Sequence, residues 1–470
     1  MTPNQNRRRL SLMFFAAVIL SSFVWAFSAR GEGGEPRYFA IVNARIVPVS
    51  APPIEKGTVV IARGLIQAVG TNVPIPPEAW VIDGTGLTVY PGLIDAGTDL
   101  GFPKPDAADE SAGAAKPPAP PREYAMGPED RPATTPWRVA ADELKITDKR
   151  IPVWRSAGFT TVLTAPDSGI FPGQASLIDL AGDRVGDLVV KPTAALPVTL
   201  KGLGGFFSFP GSLMGTIAYV RQVFDDTEWY AQAEPIYEAN VGKSERLRYD
   251  RTERVIELSL RNNEVVLLSA NNSIEILRAL HLAEEWKIKA AIQGAQQSYA
   301  VAGAIAARKI PVLVNLKWPE RAKDADPEAE VTLRELRFRD RAPSSPVSLE
   351  KAGARFAFYS GGLPAPKDIF KNVRKAVSAG LTPEAALRAF TVDAAAILSV
   401  DDRLGSIEPG KIANVVVADG DIFGEKTKVK HVFVDGRWFE IHEEAPPETP
   451  TAKNPAAPAV LTDSEPEVGR

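Results

Sequence analysis

A short polar segment, Gly97-Thr98-Asp99, follows an apolar run that ends at Ile94. A carboxylate at the end of such a strand could act as a general base, which makes Asp99 a candidate. Ser269 and Ser360 also follow apolar runs, where a hydroxyl could act as a nucleophile. We expect no histidine close enough to activate either serine. The alternative, which we favour, is that Asp99 hydrogen-bonds a loop and both serines are ordinary strand-end residues.

Histidine and cysteine, the usual ligands of transition metals, are scarce in this chain. There is no cysteine, and the three histidines are His281, His431 and His442. The sequence predicts a helix around His281, a strand around His431 and the start of a tail at His442, so we expect none to reach a shared site. Carboxylates and carbonyls alone suit Mg or Ca better than Zn. The lack of cysteine also excludes disulfides and a thiol nucleophile.

Lysine is the remaining side chain that could serve as a base. Lys191, Lys201 and Lys317 fall in the predicted α/β part of the chain. Nothing in their spacing distinguishes one from the others, so the sequence assigns no role to any of them.

Apolar strands alternate with amphipathic helices through the middle of the chain, which predicts a parallel sheet or barrel. The predicted strands cover residues 88–94, 160–164, 264–269, 290–293, 311–315 and 355–359. The predicted helices cover residues 273–286, 298–308, 366–379 and 383–397.

Two strand-rich blocks lie at opposite ends of this α/β region. The first covers residues 36–88 and the second residues 401–442, with turns at Asp419-Gly420 and Asp435-Gly436. Two short β blocks so placed predict one small composite β-sandwich built by both ends of the chain. The barrel is then expected over residues 89–400.

Three stretches depart from this pattern. Residues 102–136 are rich in Pro and Ala and predict an irregular excursion, whereas residues 319–345 are dense in charge and predict a mobile loop. Residues 443–470 contain repeated prolines and predict a disordered tail.

The first residues predict export from the cytoplasm. Three arginines, Arg7 to Arg9, precede an apolar run over residues 10–27, as in a secretory signal peptide ending near residue 29. A retained membrane anchor formed by residues 10–27 is the alternative. We therefore expect a periplasmic or otherwise extracytoplasmic protein, in contact with a membrane only if this segment is retained.

The charge of the chain argues against nucleic acid as a partner. The formal net charge is −4, and acidic and basic residues are interspersed. Without a broad positive surface, a phosphate backbone has little to bind. Small molecules or other proteins are the expected partners.

Two motifs near opposite ends of the chain resemble those of one protein family. Residues 90–101 contain Pro-Gly-Leu-Ile-Asp-Ala, and residues 381–388 and 404–414 have the pattern of a last helix and a returning β segment. Both are similar to the metal-dependent amidohydrolase superfamily. Residues 158–162, 172–174 and 210–215 resemble its imidazolonepropionase-like branch. The resemblance implies a (β/α)8 TIM barrel with a small composite β-sandwich, and Pro172, Gly173 and Gln174 as a substrate-binding loop at the barrel mouth.

The family's metal ligands are replaced at every matched position. In active relatives, histidines and an aspartate hold a divalent metal, and the metal polarises the substrate and activates water. No histidine remains at these places in this chain, and we expect no metal cofactor. The matched positions are Gly97 and Asp99 on the first strand, Ser269 and Asn271 on the fifth, Gly294 on the sixth and Gly361 on the eighth.

The resemblance and the replacements together give two functional hypotheses. By lineage the chain is a hydrolase of carbon–nitrogen bonds other than peptide bonds, but we expect it to be catalytically degenerate. It would then bind a small molecule in space vacated by the ligands, or act as a homo-oligomer or as the partner subunit of an active paralogue. The alternative is an amide or lactam hydrolase with a rebuilt, histidine-free site that uses Asp99.

Overall fold

A computed structural model describes residues 38–102, 127–202, 209–321, 326, 328 and 330–441. The predicted signal peptide or anchor, the tail and His442 lie outside these residues, as does most of the predicted excursion. Within the described residues, no helix is both long enough and apolar enough to cross a membrane.

Sixteen strands and twelve α-helices are found among the described residues. The strands are β1 (Tyr38–Ile46), β2 (Ile54–Ala62), β3 (Leu65–Gly70), β4 (Trp80–Asp83), β5 (Thr88–Pro91), β6 (Leu93–Thr98), β7 (Phe159–Thr164), β8 (Ala175–Asp179), β9 (Val189–Val198), β10 (Val265–Ala270), β11 (Ala290–Gly294), β12 (Val312–Asn315), β13 (Phe356–Tyr359), β14 (Val415–Ala418), β15 (Val429–Val434) and β16 (Arg437–Glu440). The helices are α1 (Ala140–Glu143), α2 (Arg150–Ser156), α3 (Val185–Leu188), α4 (Leu213–Ala239), α5 (Arg251–Arg261), α6 (Ser273–Trp286), α7 (Ala302–Arg308), α8 (Leu333–Arg341), α9 (Ser345–Ala352), α10 (Pro366–Ser378), α11 (Pro383–Ala389) and α12 (Val392–Ile397).

The strands β6 to β13 form the barrel wall in sequence order. Ser360 and Gly361, just after β13, close the wall against β6. The Ser360 amide donates to the Asp95 carboxylate and the Gly361 amide to the Gly97 carbonyl. The predicted TIM-type barrel is therefore confirmed, with one difference. Strand β8 runs antiparallel to both β7 and β9, so seven strands are parallel and one is reversed.

Small and apolar side chains fill the inside of the barrel. Successive strands contribute Leu267, Ala291, Leu313 and Ala357, which are fully or almost fully buried. Helix α12 covers the end of the barrel where the strands begin, with Ala394, Ala395, Ile397 and Leu398 packed into the same cluster. The opposite end, where the strands finish, is the mouth.

Strands from both ends of the chain form the second sheet, as predicted. Its order is β16-β15-β14-β5-β1-β2-β3, with β4 pairing beside β5 on the same edge of β1. The ring of Phe39 on β1 lies 5.2 Å from Phe433 on β15 and 5.9 Å from Trp438 on β16. In the order of the sheet, β15 and β16 are three and four strands away from β1. Neighbouring strands lie about 4.8 Å apart, so a flat sheet would keep these rings much further from one another. The sheet therefore folds over itself around an apolar core.

The boundary between the two units corrects one predicted strand. Residues 88–94 are divided between β5 of the composite sheet and β6 of the barrel, with Gly92 between them. The Gly92 amide donates to the Asn414 carbonyl, whereas the next amide, of Leu93, donates to Gly158. A side chain at position 92 would overlap Thr160, so the change of partner requires glycine.

Residues 330–345 differ from the mobile loop that was predicted over 319–345. They contain α8 and a 3-10 turn over Ala342–Ser344 that leads into α9. The Thr332 hydroxyl accepts the Glu335 amide at the start of α8, and Glu335 pairs with Arg339 one turn later. The charged residues of α8 therefore lie on the surface of a helix.

Candidate functional site

Four neighbouring strands end in polar side chains at the barrel mouth. Ser269, Gln293, Asn315 and Tyr359 each lie two residues after an interior residue of β10, β11, β12 or β13. Side chains two apart on a strand share a face, so these four form a polar layer above the apolar interior.

A cavity of about 280 Å³ opens above this layer. Gly97, Gly361, Gln293 and Tyr359 line its base, and Asp99 and Asp167 contribute carboxylates. Leu163, Pro166, Pro172 and Pro197 add apolar wall. The cavity is of a size and polarity for a small organic molecule.

A histidine side chain, as in active relatives, would be crowded at Gly97. A Cβ atom there would lie 3.0 Å from Cδ2 of Tyr359 and 3.3 Å from Nε2 of Gln293. Tyr359 is 8% exposed, and burial raises the pKa of its phenol, which remains protonated. The Tyr359 ring and the Gln293 amide therefore occupy the place beside the first strand.

Gly361 and Gly294 are restricted in a similar way. A side chain at Gly361 would overlap the Asn315 amide, and one at Gly294 would lie 2.9 Å from the Ala270 carbonyl oxygen. Both residues also have positive φ, at 57° and 118°. The expectation that glycine leaves vacated space is thus wrong beside these two residues. Asn315 fills the space at Gly361 and the Ala270 carbonyl fills it at Gly294, although the cavity above remains.

Asp99 is held in an ion pair at the edge of the cavity. Arg150 Nη1 donates to its Oδ1 at 2.6 Å, and Nη2 donates to its backbone carbonyl at 2.8 Å. Arg150 also pairs with the buried Asp148, which accepts the Gly101 amide as well. Asp99 therefore hydrogen-bonds and pairs with Arg150, in line with the favoured alternative to a general base, and its contacts fix the segment that follows β6.

The remaining matched positions on the fifth strand make structural hydrogen bonds. Ser269 Oγ accepts the Leu200 amide at 2.8 Å. Asn271 exchanges two hydrogen bonds with Gln296, one from its own Nδ2 and one from the Gln296 amide. Neither Ser269, Asn271 nor Gly294 lines the cavity. Ser360 is buried, and its hydroxyl donates to the Gly97 carbonyl.

Asp95 on β6 links the first strand of the barrel to Ser360, which follows the last strand, β13. Its Oδ1 accepts the amides of Gly97 and Ser360, at 3.2 and 2.9 Å. Its Oδ2 and the Trp154 indole nitrogen are both buried, and the indole opposes the rise of the Asp95 pKa. Complete burial raises the pKa of Asp95 to about 6, despite the hydrogen bonds that oppose the shift.

The predicted loop and the lysines are only partly at the mouth. Pro172 lines the cavity, whereas the Gly173-Gln174 backbone packs on Arg138 and does not. Lys201 and Lys317 are exposed and do not line the cavity. Lys191 lies toward the other end of the barrel, where its Nζ donates to the Leu398 carbonyl.

The described histidines lie away from the mouth, as predicted. His281 is exposed on α6, and His431 on β15 accepts the Trp438 indole N–H at 3.2 Å. Among residues 38–102, 127–202 and the later described ranges, no three His, Asp or Glu side chains converge on a possible ion. The matched positions carry glycine, serine, asparagine and one ion-paired aspartate, so they do not supply the imidazoles that hold the metal in active relatives.

Tyr359, Asn315 and Arg150 were not identified as site residues from the sequence. Strand alternation would have placed Tyr359 on the same side as Ala357, inside the barrel. Arg150 and Asp99 are 51 positions apart in the sequence, so no local pattern indicates their pairing.

Comparisons with known proteins agree with this architecture. Residues 279–439 match the amidohydrolase family. No curated protein sequence matches the chain. Among solved structures, an amidohydrolase from Thermotoga maritima MSB8 is 27% identical, with a TM-score of 0.70. The match covers 86% of this chain and all of that one.

Two more distant structures share the fold. A Xaa-Pro dipeptidase with bound methionine is 15% identical, covers 86% of this chain and 100% of its own, and has a TM-score of 0.53. The ochratoxinase of A. niger is 16% identical, with a TM-score of 0.51, and the match covers 86% of this chain and 96% of that one. At these identities the likeness concerns the fold alone.

Proposed function

Because this chain belongs to the amidohydrolase superfamily, we propose that it is a member that has lost metal-dependent hydrolysis of carbon–nitrogen bonds and binds a small organic molecule at the barrel mouth. Hydrolysis in the family depends on imidazoles and carboxylates that converge on an ion. Here the matched positions carry glycine, serine, asparagine and one ion-paired aspartate.

The contact between Tyr359 and Gly97 is the observation that carries the proposal. Loss of a ligand alone would leave an empty position. In this chain an aromatic ring lies 3.0 Å from where the ligand's Cβ would be. That arrangement supports a mouth reshaped for a role other than holding an ion.

The experiment measures metal content and hydrolysis on the same purified protein. We expect that the full chain, produced with added zinc and manganese, retains far less than one ion per chain after gel filtration. A panel of amides and lactams should show no hydrolysis that a chelator abolishes. One firmly bound ion per chain, together with chelator-sensitive hydrolysis, would contradict the proposal.

The rebuilt-site alternative is tested by Asp99→Ala. Chelator-insensitive hydrolysis that disappears in Asp99→Ala but persists in Asp148→Ala would favour it. Asp148 is the matched control, because it shares the Arg150 ion pair without lining the cavity. Loss in both variants would instead indicate damage to the Arg150 contacts.

Ligand binding at the mouth is tested through Gln293, whose side chain lines the base of the cavity. Small molecules found by fragment screening should lose affinity in Gln293→Ala. If every bound fragment retains its affinity in this variant, binding at the mouth is contradicted.

We also propose export from the cytoplasm and association with a paralogue that retains the metal ligands. The N-terminal sequence and the replaced ligands support these two points respectively. Co-purification of the two chains from the source cells, and fractionation of those cells, would test them.

A further inference from the structure

A second cavity lies at the opposite end of the barrel from the mouth. It measures about 640 Å³ and is lined where β10 to β13 begin, at Val265, Ala290, Pro311 and Arg355. Helix α7 forms one wall through Ile305 and Ala306. It shares no lining residue with the mouth cavity.

The lining of this cavity combines an apolar floor with basic residues. The floor includes Ile288, Ile305, Ile310 and Ile397. Four basic residues, Lys289, Arg308, Lys309 and Arg355, line it as well, and no carboxylate does. All four basic residues are exposed, so their charged groups lie at the solvent edge.

Some of these basic side chains already form ion pairs or hydrogen bonds with other residues. Arg308 pairs with Glu284 at 2.9 Å, and Arg355 lies 3.7 Å from Asp393, which Arg388 also contacts. Each guanidinium has five N–H groups, so one carboxylate leaves donors available. Lys289 donates to the Asn263 carbonyl and to Ser399. The Lys309 ammonium makes no hydrogen bond or ion pair with the described residues.

The ends of nearby helices explain part of the basic character. Helices α7 and α9 end at this cavity, and cations near helix C-termini offset the partial negative charge there. Carboxylates are also present around this end of the barrel, although none lines the cavity. Burial lowers the pKa of Lys191 and the charge of Lys289 lowers it further, whereas the charge of Glu264 opposes the shift.

We infer that this cavity binds a small organic anion with an apolar chain or ring. The floor would remove the apolar part from water, and Lys309 with the two arginines would hold the carboxylate or phosphate. A neutral molecule would use only the floor, and a cation would be repelled. This site is independent of the proposed function at the mouth.

The test uses octanoate as the probe, with octanol and octylamine as the neutral and cationic counterparts. Isothermal titration on the full chain should detect binding of octanoate, weakening as salt is raised. Lys309→Glu should raise the dissociation constant by at least about tenfold, because an ionic hydrogen bond contributes enough for one factor of ten.

Lys287→Glu is the matched control for the charge. Lys287, like Lys309, is an exposed lysine with positive φ directly after a helix, but it does not line this cavity. Ala306→Trp tests the apolar part of the cavity, since the indole would fill the space beside α7. Circular dichroism and thermal unfolding would verify that each variant is folded.

Three results would overturn the inference. These are no octanoate binding at millimolar concentration, equal binding of octanol, and unchanged octanoate binding in both Lys309→Glu and Ala306→Trp. The last result would mean that the fatty anion binds elsewhere on the molecule.

Discussion

At the scale of single residues, Tyr359 distinguishes this barrel from one that could hold an ion. Its ring lies beside Gly97, and its hydroxyl interacts with Asn315, which in turn fills the space beside Gly361. Two matched ligand positions are therefore blocked by one pair of contacting side chains. Restoring histidine at position 97 should require removal of the ring.

A double-mutant cycle between Gly97→His and Tyr359→Ala tests this point. Gly97→His alone should lower the free energy of unfolding by ~1–3 kcal/mol, the usual range for overpacking. In the Tyr359→Ala background the histidine should cost much less, a coupling of about 1 kcal/mol or more. Urea unfolding of the four proteins measures it.

Gly303→His provides the control for inserting the same side chain. Gly303 is exposed on α7, and a Cβ atom there would have nothing within 4 Å. It should show no coupling with Tyr359→Ala. Additive effects of Gly97→His and Tyr359→Ala would mean that the ring does not block position 97.

At the scale of secondary-structure elements, Asp179 joins the barrel to the returning segment of the composite sheet. Its Oδ1 accepts hydrogen bonds from Thr161 on β7 and from Asn414 just before β14, at 2.6 and 2.9 Å. Complete burial nevertheless raises the pKa of Asp179 to about 7. The folded chain therefore favours the protonated carboxyl.

This shift predicts how stability changes with pH. The folded state binds the Asp179 proton more tightly than the unfolded state, so the contribution is complete below the unfolded pKa of about 4 and is lost as pH rises toward about 7. Asp179→Asn mimics the protonated form. We expect it to reduce the fall in unfolding free energy between pH 4 and pH 8.

Urea unfolding at several pH values would measure this slope, with Asp167→Asn as the control at an exposed carboxylate. Asp95 shifts in the same direction, so part of the slope should remain in Asp179→Asn. An unchanged slope would show that Asp179 is already charged in the folded protein.

Elements with strong local signals were predictable from the sequence, and those fixed by distant contacts were not. Helix α6 matches its predicted bounds, because Asn272 and Glu275 form a capping box and the apolar residues are periodic. The predicted helix over residues 383–397 is two helices, which break at Phe390 and Thr391. Strand β8 was not predicted, since its reversal depends on pairing with β7 and β9.

The position of the candidate site could be predicted from the sequence, but the side chains that occupy it could not. The matched motif residues Gly97, Asp99 and Gly361 do line the mouth cavity. What fills the space between them depends on Tyr359 and Asn315, which lie on different strands. Each contacts a glycine on or just after a neighbouring strand, and this contact follows from strand register, which no local pattern in the sequence specifies.

At the scale of the whole molecule, Gly92 connects the composite sheet directly to the barrel. Strand β5 pairs with β14 from the other end of the chain, and β6 begins the barrel one residue after Gly92. Both units therefore depend on the same short connection. We expect them to unfold together in one transition.

Gly92→Ala tests this coupling. The added methyl group would overlap Thr160 and should cost ~1–3 kcal/mol, lowering the melting temperature. Calorimetry should still show one transition, and amides of β11 and β15 should lose hydrogen-exchange protection equally. Gly186→Ala, where a Cβ meets nothing within 4 Å, is the control. Separate transitions for the two units would contradict the shared interface.

The reversed strand β8 also affects how the rim of the mouth behaves. Because β7 and β8 are antiparallel neighbours, residues 165–174 are a hairpin connection whose two ends are fixed by the same ladder of hydrogen bonds. Pro166 and Pro172 restrict this connection further. A small molecule that binds at this rim contacts a segment that is already ordered, so binding should cost little conformational entropy of the chain there.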